Sequence, residues 1–296
     1  KIVEVLQKEA DWVNFELFYF ALCGWGFKSL VSARIMANRR QISFAEATKV
    51  ANSTMEMIEV YKAWPAVQVF CLQTLQKLVL NSSDQKLGAR VVQMGGVLKT
   101  LKAMSSYPEH AAVLSAGLAA LAYLGACSTP ISDEIVLLGG VAAVMQAMTG
   151  HSASAELQAN GCAVLMVLAN HGRSQDVLVG FGAVQAAVQA MWNHPAAVSV
   201  QDFGCAVIAA LAGEPTGWTS AVAVGAEEAV TRAMRSHPAE AAVQEKAAKA
   251  LQVLSQVYGL GQQAAARSGK DPLDPAALGA WWGAPQPLRS AARSEE

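Results

Sequence analysis

At 296 residues, with 22 Lys and Arg against 23 Asp and Glu and a pI near 6.6, the chain has no general attraction for nucleic acid or an acidic membrane surface. Hydrophobic residues make up 53% and charged ones only 15%, against about 25% charged in an ordinary soluble domain, so a fully solvated, disordered or highly charged class is excluded. Five cysteines without a CxxC pair are too few for a disulfide scaffold, and Cys23, Cys71, Cys162 and Cys205, in apolar runs, read as reduced core residues.

The shortage of charge is uneven. Residues 101–200 carry only Lys102, Arg173, Glu109, Asp133, Glu134, Glu156 and Asp176. That coat is thin enough to predict that another surface covers part of it.

In chain order, residues 1–51 form a distinct N-terminal region, a helical cap or docking element. KIVEVLQKEADWVNFELFYFAL reads as one helix stopped by Cys-Gly-Trp-Gly, and FKSLVSARIMANRR as a second. Trp12, Phe15, Phe18, Tyr19 and Phe20 are its apolar anchors. Ser43 and Glu46 form a capping box that opens a third helix through about Trp64.

From about 52 to 256 the chain repeats itself. GGVLKTLKAMS from Gly95, GGVAAVMQAMT from Gly139, GAVQAAVQAMW from Gly182 and GAEEAVTRAMR from Gly225 align without gaps, with Met104, Met148, Met191 and Met234 at one position. A second block follows in register, and its second residues are Val67, Val113, Leu157, Val200 and Val243. Apolar positions three and four apart in that block predict a helix with a buried face. The glycine predicts a break with positive φ. Turn compositions (SSYPEH, TGHSAS, NHP, SHP) separate the blocks, and SSDQ, ISDE, RSQD and GWTS are expected to cap a short helix ahead of each glycine. The units fall near 52–80, 83–125, 131–170, 173–213 and 216–256.

After about Tyr258, residues 257–296 form a Pro/Gly-rich tail with little periodicity, expected to be disordered alone. Trp281 and Trp282 are the side chains by which it would be held, on its own array or on a neighbour.

A short, a second and a longer third helix in about 43 residues resembles the armadillo repeat, with its glycine ahead of the second helix. HEAT repeats are the near alternative, but they have two helices and lack that glycine. The resemblance implies an all-α, right-handed superhelical solenoid, which the N-terminal helical cap and the extended C-terminal tail read from the flanking residues complete. It also implies that the third helices line a concave protein-binding groove. There the importin-alpha branch sets a Trp and, four residues on, an Asn. Here those places hold Gln73 and Lys77, Ala119 and Tyr123, Ala163 and Val167, Ala206 and Ala210, and Lys249 and Val253. Without the Trp and Asn ladder a nuclear-localisation receptor is not expected. A smooth apolar groove suits an apolar helix or a permanent subunit contact.

Chemically suggestive groups are strung out by the register. His151, His194 and His237 occupy one turn position, where Tyr107 stands one repeat earlier, and zinc needs its ligands at about 2 Å. Cys162 and Cys205 match Leu118 and Ala248 and so mark a core position; Asp202 matches Glu245 and Ser115 and reads as a solvated face. No catalytic, cofactor-binding or metal-binding residue is expected. Residues 110–132 and 177–201 contain no Asp, Glu, Lys or Arg, but the same helix carries charges in the last repeat, so no transmembrane span is expected.

The expected function is a non-catalytic scaffold, a stable subunit of a larger protein assembly that does not bind nucleic acid. The alternative is an autonomous adaptor that captures a client peptide or helix transiently. Reduced cysteines fit the cytoplasm, including cytoskeletal or ciliary structures. A start at Lys1 instead leaves room for an organelle protein that has lost a targeting peptide.

Overall fold

The order of the backbone breaks follows from glycine, proline and one capping box. In the computed structural model, which describes residues 43–81, 86–171 and 174–268, all regular elements are helices. The first pair is α1 (Phe44–Val60) and α2 (Pro65–Asn81). Three-helix units follow: α3 (Lys86–Gln93), α4 (Gly96–Ser106) and α5 (Ala111–Gly125); then α6 (Thr129–Leu137), α7 (Gly140–Gly150) and α8 (Ala155–His171). The last two are α9 (Gln175–Gly180), α10 (Ala183–Asn193) and α11 (Val198–Leu211), and α12 (Pro215–Ala223), α13 (Ala226–Ser236) and α14 (Ala241–Ser268).

Helix α1 starts where the capping box sets it. The Ser43 side chain accepts from the Glu46 amide, and the Glu46 carboxylate accepts from the Ser43 amide. The helix ends at Val60, short of Trp64, and packs on α2, α3 and α4 as a second helix would. The two helices read from residues 1–42, with Trp12, Phe18 and Tyr19, lie outside the described residues, as do Trp281 and Trp282.

Each first helix hands over to its second through a left-handed glycine: φ is +78° at Gly95, +83° at Gly139, +80° at Gly182 and +69° at Gly225. A side chain there would meet the clash that makes this region costly for other residues. In the Gly-Gly pairs the second glycine has a different task. A Cβ on Gly140 would stand 2.6 Å from the Ile135 carbonyl oxygen, so the pair is a tight helix–helix corner.

Two sequence expectations about termini are corrected. ISDE and GWTS do not cap the first helices but lie inside α6 and α12, whose N-cap positions are Ser128 and Glu214 and whose first turns hold Pro130 and Pro215. Ser128 and Ser174 occupy N-cap positions without a side-chain cap bond, and SSDQ falls largely on undescribed residues. The last third helix runs through Gly259 and Gly261 to Ser268, past the composition change near Tyr258.

Third helices α2, α5, α8, α11 and α14 pack on one another in that order, forming one continuous layer with the second helices behind them. The aligned residues Val67, Val113, Leu157, Val200 and Val243 are all buried in it. Met104, Met148 and Met191 are buried too, each against a glycine of its own third helix (Gly117, Gly161, Gly204) where a Cβ would approach the Met Cγ to 2.5–2.6 Å. In the last unit Ala247 is the aligned residue and Met234 is only half-buried. Among the described residues no single helix is long and apolar enough to cross a membrane; α6 and α7 have the joint length but are bent by 70° between them.

Candidate protein-binding groove

The inner face follows from helix geometry. Gly117, Gly161 and Gly204 touch the second helices, so the residues two places further on point about 200° away, at about 100° per residue. Those are Ala119, Ala163 and Ala206, with Gln73 and Lys249 in the first and last units. One turn on, Lys77, Tyr123, Val167, Ala210 and Val253 share that face.

The row is close-packed rather than deeply furrowed. Ala119, Ala163, Val167 and Ala206 keep only 6–8% of their surface, because neighbouring third helices crowd each side chain. Val167 is a repeat-to-repeat contact: its Cγ1 lies against the Cα side of Gly125 on α5. Tyr123, Ala210 and Val253 are half-exposed, Gln73 and Lys77 half-buried, and Lys249 exposed. The middle of the face therefore offers alanine methyls and the Tyr123 ring, while ammonium groups stand at its two ends.

At one edge of the row the polar groups tie repeats together. Ser115 Oγ on α5 donates to Glu156 Oε1 on α8 at 2.8 Å, and Asn160 Nδ2 donates to Ser115 Oγ at 2.9 Å. Asp202, one turn before Ala206, departs from the solvated face expected of it. It is half-buried and its Oδ1 is enclosed without a partner among the described residues. Burial raises its pKa from the ordinary aspartate value, Lys246 opposes this and Glu245 reinforces it.

The candidate thiol nucleophiles lie in the core. Cys162 and Cys205 are fully buried, and burial pushes both thiols up to about 12, with a neighbouring group (Cys205 for Cys162, Asp202 for Cys205) adding to it. Cys71 is likewise buried and raised, and Cys71, Cys127, Cys162 and Cys205 are free. The histidines face another way. His151 Nε2 donates to the Pro108 carbonyl at 2.8 Å, His194 Nε2 to Ser152 at 2.7 Å and His237 Nε2 to Pro195 at 2.8 Å. Tyr107 does the same one repeat earlier, donating to the Lys62 carbonyl at 2.6 Å. Each turn is thereby fastened to the one before it. Among the described residues no group of three or more His, Cys, Asp or Glu could hold a metal ion.

A glutamine ladder was not anticipated. Gln68, Gln158, Gln201 and Gln244 each donate through Nε2 to two carbonyls at the end of the preceding helix, as Gln201 does to Met191 and His194 at 2.9 Å. Helix C-termini leave such carbonyls without intrahelical partners. The signal was present as Gln recurring after the buried Val or Leu of each third helix, except at Leu114.

Comparison with known proteins agrees with this geometry. The family model described as LRRK2 ARM repeat matches residues 38–275. No curated protein matches the sequence. Two engineered proteins from the Northeast Structural Genomics Consortium superpose with TM-scores of 0.66 and 0.67 at 17% and 14% identity, covering 83% of this chain and 98% and 100% of theirs. A designed armadillo repeat protein in complex with the peptide (KR)4 superposes with a TM-score of 0.60 at 16% identity, over 77% of this chain and 92% of its own. At these identities the likeness is one of fold.

Proposed function

From a chain that belongs to the LRRK2 ARM repeat family, and so to an all-α solenoid class of generally non-catalytic protein-binding scaffolds, we infer a stable structural subunit of a larger protein assembly. Its partner is an apolar helix or an apolar subunit face laid along the third helices. The observation that carries this reading is the composition of the inner row. Ala119, Ala163, Val167, Ala206 and Ala210 offer neither charge nor an amide to grip an extended peptide backbone, but they permit close approach of another helix. Free, buried cysteines support a reducing, cytoplasmic setting.

The second reading, a transient adaptor, draws on Lys77 and Lys249 at the ends of that row, which would favour a client with acidic termini. Salt separates the two, because surface ion pairs are screened and apolar burial is not. Cross-linking mass spectrometry in native extract, repeated at high salt, is expected to place the same neighbour along α5, α8 and α11 in both conditions. Ala210→Glu, at a half-exposed place in the row, should release that neighbour while leaving the chain folded. A monomeric chain without stable neighbours, or cross-links confined to the outer helices, contradicts the subunit reading.

A further inference from the structure

The array ends on surface that every earlier unit covers. Third-helix positions filled by Leu72 and Leu75, Leu118 and Leu121, Cys162 and Leu165, and Cys205 and Ile208 are wholly buried, because the next unit packs on them. In α14 the same positions are Ala248, which is exposed, and Leu251, which is half-buried. Ala248 thus departs from the core role that alignment gave it: no described helix follows to bury it. Both residues line an open cleft of about 1190 Å³ between α12, α13 and α14, with Trp218, Val222 and Leu254 in its walls and Arg232 among its charged residues.

We propose that this cleft seats the chain's own segment Asp274–Gly283, with Trp281 and Trp282 inserted, so that the array is closed by a half repeat. Three observations select this occupant. The first is local sequence. Helix α12 opens with Glu214-Pro215 and closes at the left-handed Gly225; Asp274-Pro275, the run AALGAWW and Gly283 repeat that order of acid, proline, uncharged Trp-containing run and glycine. The second is chemistry, since the positions left uncovered are apolar and Pro275–Leu288 carries no charge. The third is reach. From Ser255 on the cleft wall to the end of α14 at Ser268 the helix rises about 20 Å. The six residues from Gly269 to Asp274 span at most about 20 Å when extended, enough to return to the cleft.

Hydrogen–deuterium exchange on the full chain tests the assignment, with light scattering across a concentration series to report self-association. In the wild-type chain the α12 and α13 amides are expected to exchange slowly at all concentrations. In the Trp281→Ala, Trp282→Ala double variant they should exchange about tenfold faster while α5 and α8 are unchanged. A synthetic peptide spanning residues 270–288, added to the double variant, should slow them again. Equal exchange in wild type and variant overturns the proposal. So does protection that grows with concentration alongside a doubled mass, which assigns the cleft to a second copy instead.

Discussion

The units at α6–α8 and α12–α14 share a backbone plan but differ in what surrounds them. Both carry the left-handed glycine, the histidine reaching back to the previous turn and the glutamine capping the second helix. The middle unit has a neighbour on each side, and its helices α7 and α8 carry one acidic residue, Glu156, and no Lys or Arg. The last unit is covered on one side only by described helices, and α13 alone carries Glu227, Glu228, Arg232 and Arg235. Arg232 lies over the Trp192 ring at 4.6 Å from its centroid, so part of that charge also serves the contact between α10 and α13. The repeat's internal bonds are thus kept wherever it sits, while its side-chain chemistry tracks the presence of a neighbour.

The glutamine ladder offers the largest test of that contrast. Gln201 is buried and satisfies two carbonyls, whereas Gln244 makes the same two bonds from a half-exposed position. Gln201→Ala is expected to cost about 2 kcal/mol, because water cannot replace the lost donor in a buried site. Gln244→Ala should cost about 1 kcal/mol or less, since solvent reaches its carbonyls. Urea unfolding of the full chain measures both. Equal losses would mean that the ends of the array are as sealed as its middle.

A smaller effect is expected at the glycine facing the core methionine. Gly161→Ala puts a Cβ against Met148 Cγ, and the overpacking should outweigh the roughly 1 kcal/mol that Ala brings as a helix former, leaving a net loss of about 1 kcal/mol. Ala247→Gly in the last unit should lose a similar amount by propensity alone, with Met234 free to settle inward. The same urea titration reads both. A stabilised Gly161→Ala chain would show that Met148 turns outward as readily as Met234, and would remove the packing distinction between the two units.

The repeat register, the glycine breaks and the methionine positions were legible because each is a local pattern multiplied four times. Solvent exposure at the array's end was not, since Ala248 and Leu251 look like any buried pair until the helix that should cover them is sought. The histidine bonds were hidden for a related reason: placing His194 in a turn is a matter of spacing, but its link to Ser152 depends on how closely turns of successive repeats stack. Gln201 was visible as a letter and not as a cap, because its two acceptors lie seven and ten residues back and meet it only when the second and third helices pack. Of the groove, alignment yielded the smooth row but not its tightness; Val167 seals against Gly125 only once two third helices are in contact.

The smallest effect concerns Asp202, where the inner row meets the charged last unit. Its carboxylate is ionised at a cost in the folded chain, since burial raises its pKa above the unfolded value of about 3.9. Below that value the group is neutral in both states and contributes nothing to their balance. As pH rises through the unfolded and then the raised folded pKa, the unfolded chain gives up its proton first and stability falls, and the deficit is complete above the folded pKa. Asp202→Asn removes the titration. The variant is therefore expected to melt with the wild type in strong acid and about a degree higher at neutral pH, followed by thermal unfolding across that range. Loss of the attraction to Lys246 works against the gain, and Lys246→Ala separates the two contributions. Made in both backgrounds, it should widen the gap between the wild-type carboxylate and the Asp202→Asn amide at neutral pH, because the carboxylate then has only the repulsion of Glu245 beside it. A wild type that melts above Asp202→Asn at neutral pH, with the order reversed by Lys246→Ala, would instead place the dominant influence on Asp202 in its charged neighbour rather than in its burial between two repeats.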